Sequence, residues 1–290
     1  MTKQECAIKY ITENYLDYRR LRHDIVADKL QVRLLGDEAK GKRQEYWKEL
    51  SKHDINSIVC HCAQEYDANI TSREVMTALQ SDLIPDVHPL REYVLSCGEW
   101  TEEQPDWIDW VASQVTVKPL GDEAKGDKAR GEGLWRGCFK KWFVAMVASW
   151  MKDEVVNHQV LVLIGKQGIF KTTWLEHLIP PHLRAYACKL ANSNDLNKDE
   201  RLRIAEFGLI SLDEIDSMNN RELNQLKSVI TATDVNERAA YAYTKERRVR
   251  LASFCASGNR RDFLTDITGN RRWLPFEVES IQNPFFTTLP

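Results

Sequence analysis

The stretch HQVLVLIGKQGIFKTT, residues 158–173, decides the fold. Its first half is an unbroken apolar run, the kind that forms a central parallel strand covered on both faces. Its second half is a glycine-bearing turn ending in Lys-Thr, and a helical pattern, WLEHLI, follows directly. Strand, turn and a helix opened by lysine are the order of a phosphate-binding loop. In such a loop, backbone N–H groups and the helix dipole hold anionic oxygens, the lysine reaches the β- and γ-phosphates of ATP, and a hydroxyl coordinates Mg²⁺. The candidate cradle is Gly165, Lys166, Gln167, Gly168, Ile169, Phe170, Lys171, Thr172 and Thr173, with Lys171 on the phosphates and Thr172 on the metal. One position departs from the GxxxxGK[ST] pattern. Phe170 stands where the second glycine belongs, so its Cβ crowds the phosphate approach and Gly168 is left to absorb part of the turn.

Two further apolar runs, FGLISLD (207–213) and VRLASFCASGN (249–259), alternate with helical patterns, and LWRGCFKKWFVAMVASWMKDEV (134–155) repeats its apolar positions at helical spacing. The expected fold is α/β: a parallel central sheet with its chemistry at the C-terminal strand ends, beside a long, largely buried helix. Asp213 and Glu214 stand at such a strand end. A carboxylate on a buried strand must be paired or bound to a cation, which puts Asp213 on Mg²⁺ and leaves Glu214 to polarise an attacking water. A strand end that has simply reached solvent is the plainer alternative. Asp216 reads as a helix cap or surface residue. Asn259, closing the third run, is placed to orient that water or sense the γ-phosphate, and the adjacent Arg271 and Arg272 to reach a neighbouring subunit's nucleotide.

Between the second and third runs, the segment 237–250 carries five basic residues (Arg238, Lys245, Arg247, Arg248, Arg250) against two acidic ones, with Tyr241 and Tyr243 interleaved. Cations beside stackable rings are what single-stranded DNA binding uses, which marks Tyr241, Tyr243, Lys245, Arg247 and Arg248. A solvated hairpin has the same composition.

The rest of the chain bounds these readings. Its 290 residues are 43% hydrophobic and 29% charged, and 40 basic against 43 acidic residues give a formal charge of −3, so any nucleic-acid contact must come from a local patch. No apolar run is long enough to span a membrane. The N-terminal MTKQECAIKY has charges where a secretory signal has its apolar segment, and seven scattered cysteines do not form a disulfide framework; both point to the cytoplasm. The adjacent Cys60, His61 and Cys62 point about 100° apart on a helix, which favours packing over metal. Residues 1–117 read as a mostly helical domain with a short β-hairpin. The glycine-rich, charged 118–133 reads as a linker, and 134–290 as the α/β domain. LGDEAKG occurs twice, at 35–41 and 120–126.

The ordered set GKQGIFKTT, LISLDE, KSVITATDVNERAAYAY, FCASGN and FLTDITGNRRW resembles the virulence-associated E family of phage and mobile-element proteins, which is similar to superfamily 3 helicases and poxvirus-type primase-helicase ATPases. The resemblance runs from about Leu134 to Val278. It implies a P-loop NTPase of the AAA+ type that uses ATP and Mg²⁺, assembles as a ring, often hexameric, and moves along single-stranded DNA in replication, alongside other replication proteins. Gly165, Gly168, Lys171 and Thr172 then match the Walker A loop, Asp213 and Glu214 the Walker B pair, and Asn259 the sensor amide. The DNA hairpin falls near Tyr243 to Arg248. A nucleotide-gated binding module with little or no turnover is the alternative from a different class.

Overall fold

Thr2 opens the first helix, α1 (Lys3–Ile11), through a capping box in which its side chain accepts the Glu5 N–H and the Glu5 carboxylate accepts the Thr2 N–H. The computed structural model describes residues 1–34, 46–66, 69–119, 128–190, 198–237, 246–261 and 270–282. The chain forms two compact units, Met1–Glu92 and Tyr93–Pro290.

In the first unit the expected hairpin is present: β1 (Leu21–Asp24) pairs antiparallel with β2 (Lys29–Leu34), Leu21 opposite Val32 and Asp24 opposite Lys29. Asp24 sets the turn from a fully buried position, its carboxylate accepting the N–H groups of Val26 and Ala27 and the Gln31 amide. The unit has its expected helices but more strand than its sequence suggests. The strands β3 (Tyr46–Glu49) and β4 (Asp86–Val87) complete a sheet of order β3-β2-β1-β4. Neither carries an apolar run that periodicity can detect. Between these two strands lie α2 (Lys52–Tyr66) and α3 (Ser72–Leu79), and α4 (Pro89–Ser96) follows. Ser51 opens α2, its hydroxyl accepting the Asp54 N–H while the Asp54 carboxylate accepts the Ser51 N–H. Ile11, Leu21, Ile58, Val75 and Leu79 form the core. Cys62 joins that core while Cys60 and His61 face solvent, so the three side chains diverge.

The second unit is α/β, as expected, but it starts earlier than the 134–290 division. Helix α5 (Trp107–Ser113) and strand β5 (Val115–Val117), expected in the N-terminal domain, belong here. Helix α6 (Lys128–Met151) begins inside the stretch read as linker, because Gly131 and Gly133 hide the helical period without preventing its propagation. Asp109 and Asp106 of the α5 segment hold Arg136 and Lys140 of α6 at 2.5 and 2.6 Å. Both copies of LGDEAKG lie outside the described residues, apart from Lys128 onward of the second copy's flank.

The remaining elements are β6 (Val160–Ile164), α7 (Lys171–Glu176), β7 (Ala187–Leu190), α8 (Lys198–Glu206), β8 (Leu209–Leu212), α9 (Asn220–Thr231), the antiparallel pair β9 (Asp234–Glu237) and β10 (Glu246–Val249), β11 (Ser253–Gly258) and β12 (Trp273–Ile281). The sheet order is β5-β12-β6-β11-β8-β7, all parallel except β5 against β12. Every residue of β6, β8 and β11 is buried, which explains their unbroken apolar sequence. Trp135, Phe139, Trp142, Met146 and Trp150, at helical spacing, form the buried face of α6. The rings of Trp135 and Phe139 pack on Trp174, and Trp135 packs edge-on against Phe276 of β12. Among the described residues no helix is long and apolar enough to cross a membrane.

Candidate functional site

The loop between β6 and α7 is shaped by close backbone approach. A Cβ on Gly165 would lie 2.7 Å from the Val278 carbonyl oxygen of β12, so only glycine lets the loop leave the sheet there. Gly168 takes φ 84° and Phe170 φ 66°, both left-handed. Lys171 then starts α7 from a buried position, its Nζ donating to the carbonyl oxygens of Gly165 and Lys166, each at 2.7 Å. Burial pulls the Lys171 ammonium below the ordinary lysine range, against the opposing pull of Asp216 and Asp213.

Next to it, three oxygens from separate elements converge. The Thr172 hydroxyl donates to Asp213 Oδ1 at 3.1 Å and lies 3.0 Å from Ser257 Oγ, and Ser257 Oγ donates to the same Asp213 oxygen at 2.6 Å. The other carboxylate oxygen takes Lys189 Nζ of β7 at 2.8 Å, and Lys189 also lies 3.7 Å from Glu176. Burial favours the neutral Asp213 carboxyl, but the bonds from Lys189, Ser257 and Thr172 outweigh it and hold the group below the usual carboxylate range. Lys189 is raised, first by its hydrogen bond to Asp213.

The cleft over these groups has a volume of ≈ 280 Å³. Of the residues marked by sequence, Gln167, Gly168, Phe170, Lys171, Thr172, Thr173, Asp213, Glu214 and Asn259 line it. Glu214 and Asn259 are exposed, whereas Asp216, read as a cap or surface residue, has a side chain only 8% exposed and accepts the Asn259 N–H. Sequence reasoning missed Ser257 and Lys189. Ser257 sits two residues before Asn259 in a segment already singled out, but Lys189 lies on a short edge strand with no pattern to mark it.

Arg271 and Arg272 immediately precede β12, whose first residue, Trp273, pairs with the first residue of β6. They therefore lie at the N-terminal ends of the strands, away from the β6–α7 loop, and do not line this chain's own cleft. Tyr241, Tyr243 and Lys245 lie outside the described residues. Arg247 is exposed and paired with Asp234 at 2.9 Å, Arg248 is mostly covered and paired with Glu206 at 3.2 Å, and Arg250 is wholly buried. The local positive charge read from sequence is thus largely spent on internal partners at 247–250.

Residues 128–288 match the family model of the virulence-associated protein E-like domain. The chain belongs to this family. The virulence-associated E-like domain begins at α6 and takes in the five parallel strands and the whole cleft. Solved structures share the fold, two of them from one region of NrS-1. The A-form apo structure of the NrS-1 C-terminal region (305–718) is 13% identical with a TM-score of 0.51, over 97% of this chain and 62% of that one. Another apo structure of the same region is 12% identical with a TM-score of 0.52, over 96% and 63%. This chain spans about three fifths of the length of those structures. No curated protein sequence matches it.

The departure at Phe170 acquires a physical meaning in the virulence-associated E-like domain. The backbone takes the left-handed turn that glycine would permit, and a phenylalanine, 44% exposed, adopts it. Left-handed backbone costs a non-glycine residue about 1–2 kcal/mol, and glycine's extra unfolded-state freedom returns about 0.5–1 kcal/mol. Phe170→Gly should therefore stabilise the fold by about 0.5–1 kcal/mol, read as a rise in the urea midpoint. A lowered midpoint would show that the ring's packing outweighs the backbone strain.

Proposed function

We propose that this chain is a P-loop ATPase of the AAA+ type that works as a replication motor on single-stranded DNA for a phage or mobile element. The observation that carries the reading is the convergence of Thr172, Asp213 and Ser257 beside buried Lys171, from a helix start and two strand ends that are distant in sequence. The sheet order supports it, since β11, with Ser257 and Asn259 at its end, lies between the phosphate-loop strand β6 and the carboxylate strand β8. The donor set suits Mg²⁺, a hard cation that is held by one or two carboxylates together with hydroxyls, waters and substrate phosphates. Thr172 and Asp213 would hold it, and when bound it supplies positive charge across the β- and γ-phosphates. Lys171, released from the Gly165 and Lys166 carbonyls, binds those same phosphates. Glu214 accepts the proton of the attacking water and Asn259 orients that water. Arg271 and Arg272, which do not line this chain's cleft, are left to serve a neighbouring protomer in a ring, where single-stranded DNA meets the segment 241–248.

A nucleotide-gated module with little turnover is favoured by one feature, the Lys189 ammonium already occupying Asp213. Turnover separates the two readings. Glu214→Gln keeps the shape of the side chain but not its basicity, so ATP should still bind while hydrolysis falls by about 10²–10⁴-fold. The assay is phosphate release with and without single-stranded DNA. A wild-type protein that binds ATP without releasing phosphate establishes the module, and wild-type rates in Glu214→Gln remove Glu214 from the chemistry.

A further inference from the structure

The loop after β8 and the loop after β11 carry the two groups assigned to the attacking water, yet neither Glu214 nor Asn259 is held by packing, since both side chains are exposed. We propose that Asp216 is the positioning residue that locks these two loops together. The inference rests on the ATPase reading and extends it to a residue outside the phosphate, metal and water groups.

Asp216 touches both loops. Its Oδ1 accepts the backbone N–H of Asn259 at 3.1 Å, and its Oδ2 lies 3.9 Å from the Arg260 guanidinium. The end of β11 approaches so closely that a Cβ on Gly258 would stand 3.0 Å from Asp216 Oδ1. On the other side, the short turn Ile215–Ser217 is closed by its own hydrogen bonds. Ile215 is fully buried, and both the N–H and the hydroxyl of Ser217 donate to the Glu214 carbonyl, at 2.8 and 2.7 Å. Glu214 itself is held at φ 51°, a left-handed conformation that persists only where its surroundings impose it. The Asp216 carboxylate therefore ties the end of β11 to this hydrogen-bonded turn. It is also the strongest neighbouring charge favouring the ammonium form of Lys171, which places it within electrostatic reach of the phosphate site.

The hydrogen bond, not the charge, does the positioning, because Arg260 is 70% exposed and its 3.9 Å contact is loose. That makes the amide variant a rescue. Displacement of a reacting geometry by about 1 Å costs on the order of 10²-fold in rate, so Asp216→Ala should lower kcat by about 10- to 100-fold while the Kd for a fluorescent ATP analogue changes by less than about threefold. Asp216→Asn, which keeps an oxygen for the Asn259 amide, should recover kcat to within about threefold of wild type. Gly258→Ala, which pushes the carboxylate back without removing it, tests the same coupling should Asp216→Ala fail to fold, and it should lower kcat with ATP affinity retained. An undiminished kcat in Asp216→Ala or in Gly258→Ala, or an Asp216→Asn protein as impaired as the alanine variant, would overturn the proposal and leave the ATPase reading standing. A wild-type protein with no turnover would overturn both.

Discussion

Lys171→Ala is expected to lower affinity for ATP by about 10²–10⁴-fold, since a charged donor contributes about 1.5–3 kcal/mol per hydrogen bond and the proposed site gives this lysine two phosphates to bind. The effect is large because the side chain is already committed to the site. Its Nζ is buried and turned onto the Gly165 and Lys166 carbonyls, at 2.7 Å each, so it does not have to be gathered from solvent when the nucleotide arrives. The expectation is checked by titrating a fluorescent ATP analogue into wild-type and variant protein with Mg²⁺ present. Near-equal affinities would remove the phosphate-loop reading, whatever the fate of the other site residues.

The largest loss of stability is expected from Arg250→Ala, by about 3–5 kcal/mol in chemical denaturation. The fully buried guanidinium stands over the Phe254 ring at 5.0 Å and donates to four carbonyl oxygens: Nε to Ala252 at 3.0 Å, Nη1 to Ile230 and to Ala232, and Nη2 to Asn157 at 2.8 Å. Ile230 and Ala232 belong to the end of α9, where carbonyls have no partner within the helix and the dipole is negative. Burial pushes the guanidinium pKa down, and the ring of carbonyl dipoles is what compensates for the lost water. Alanine leaves these oxygens buried and unsatisfied, at about 1–3 kcal/mol for a group left without a donor. Lysine cannot replace the planar fork and should restore only part of the loss. A change under about 1 kcal/mol for alanine would mean that water enters and replaces the guanidinium.

The local charge behind the DNA reading included Arg250, and no local pattern could have set it apart from its neighbours. The tract Glu246-Arg247-Arg248-Val249-Arg250 looks uniformly solvated in sequence, yet Arg247 is exposed, Arg248 sits on Glu206 and Arg250 is in the core. Alternation along β10 and the turn into β11 sorts the three by direction. Burial of the last then depends on where α9 ends. The N-terminal unit shows the same limit, since β3 and β4 owe their existence to the neighbouring hairpin edge and carry no apolar signature of their own.

What the sequence determined by itself is whatever is written at short range. The capping boxes at Thr2 and Thr71, the β1–β2 hairpin, the apolar strands β6, β8 and β11, and the loop ending in Lys171 and Thr172 each depend on residues within a few positions of one another. Their types were legible because cap, turn and strand energetics are local. Only the tertiary structure decided which strand lies next to which. That order brings Ser257 to a residue 85 positions away, Thr172, sets Lys189 against Asp213, turns Asp216 inward onto Asn259 and buries Arg250. Each of these contacts closes a long stretch of chain, and its cost in chain entropy is met by the cooperative burial of the whole sheet, not by any preference of the residues that meet.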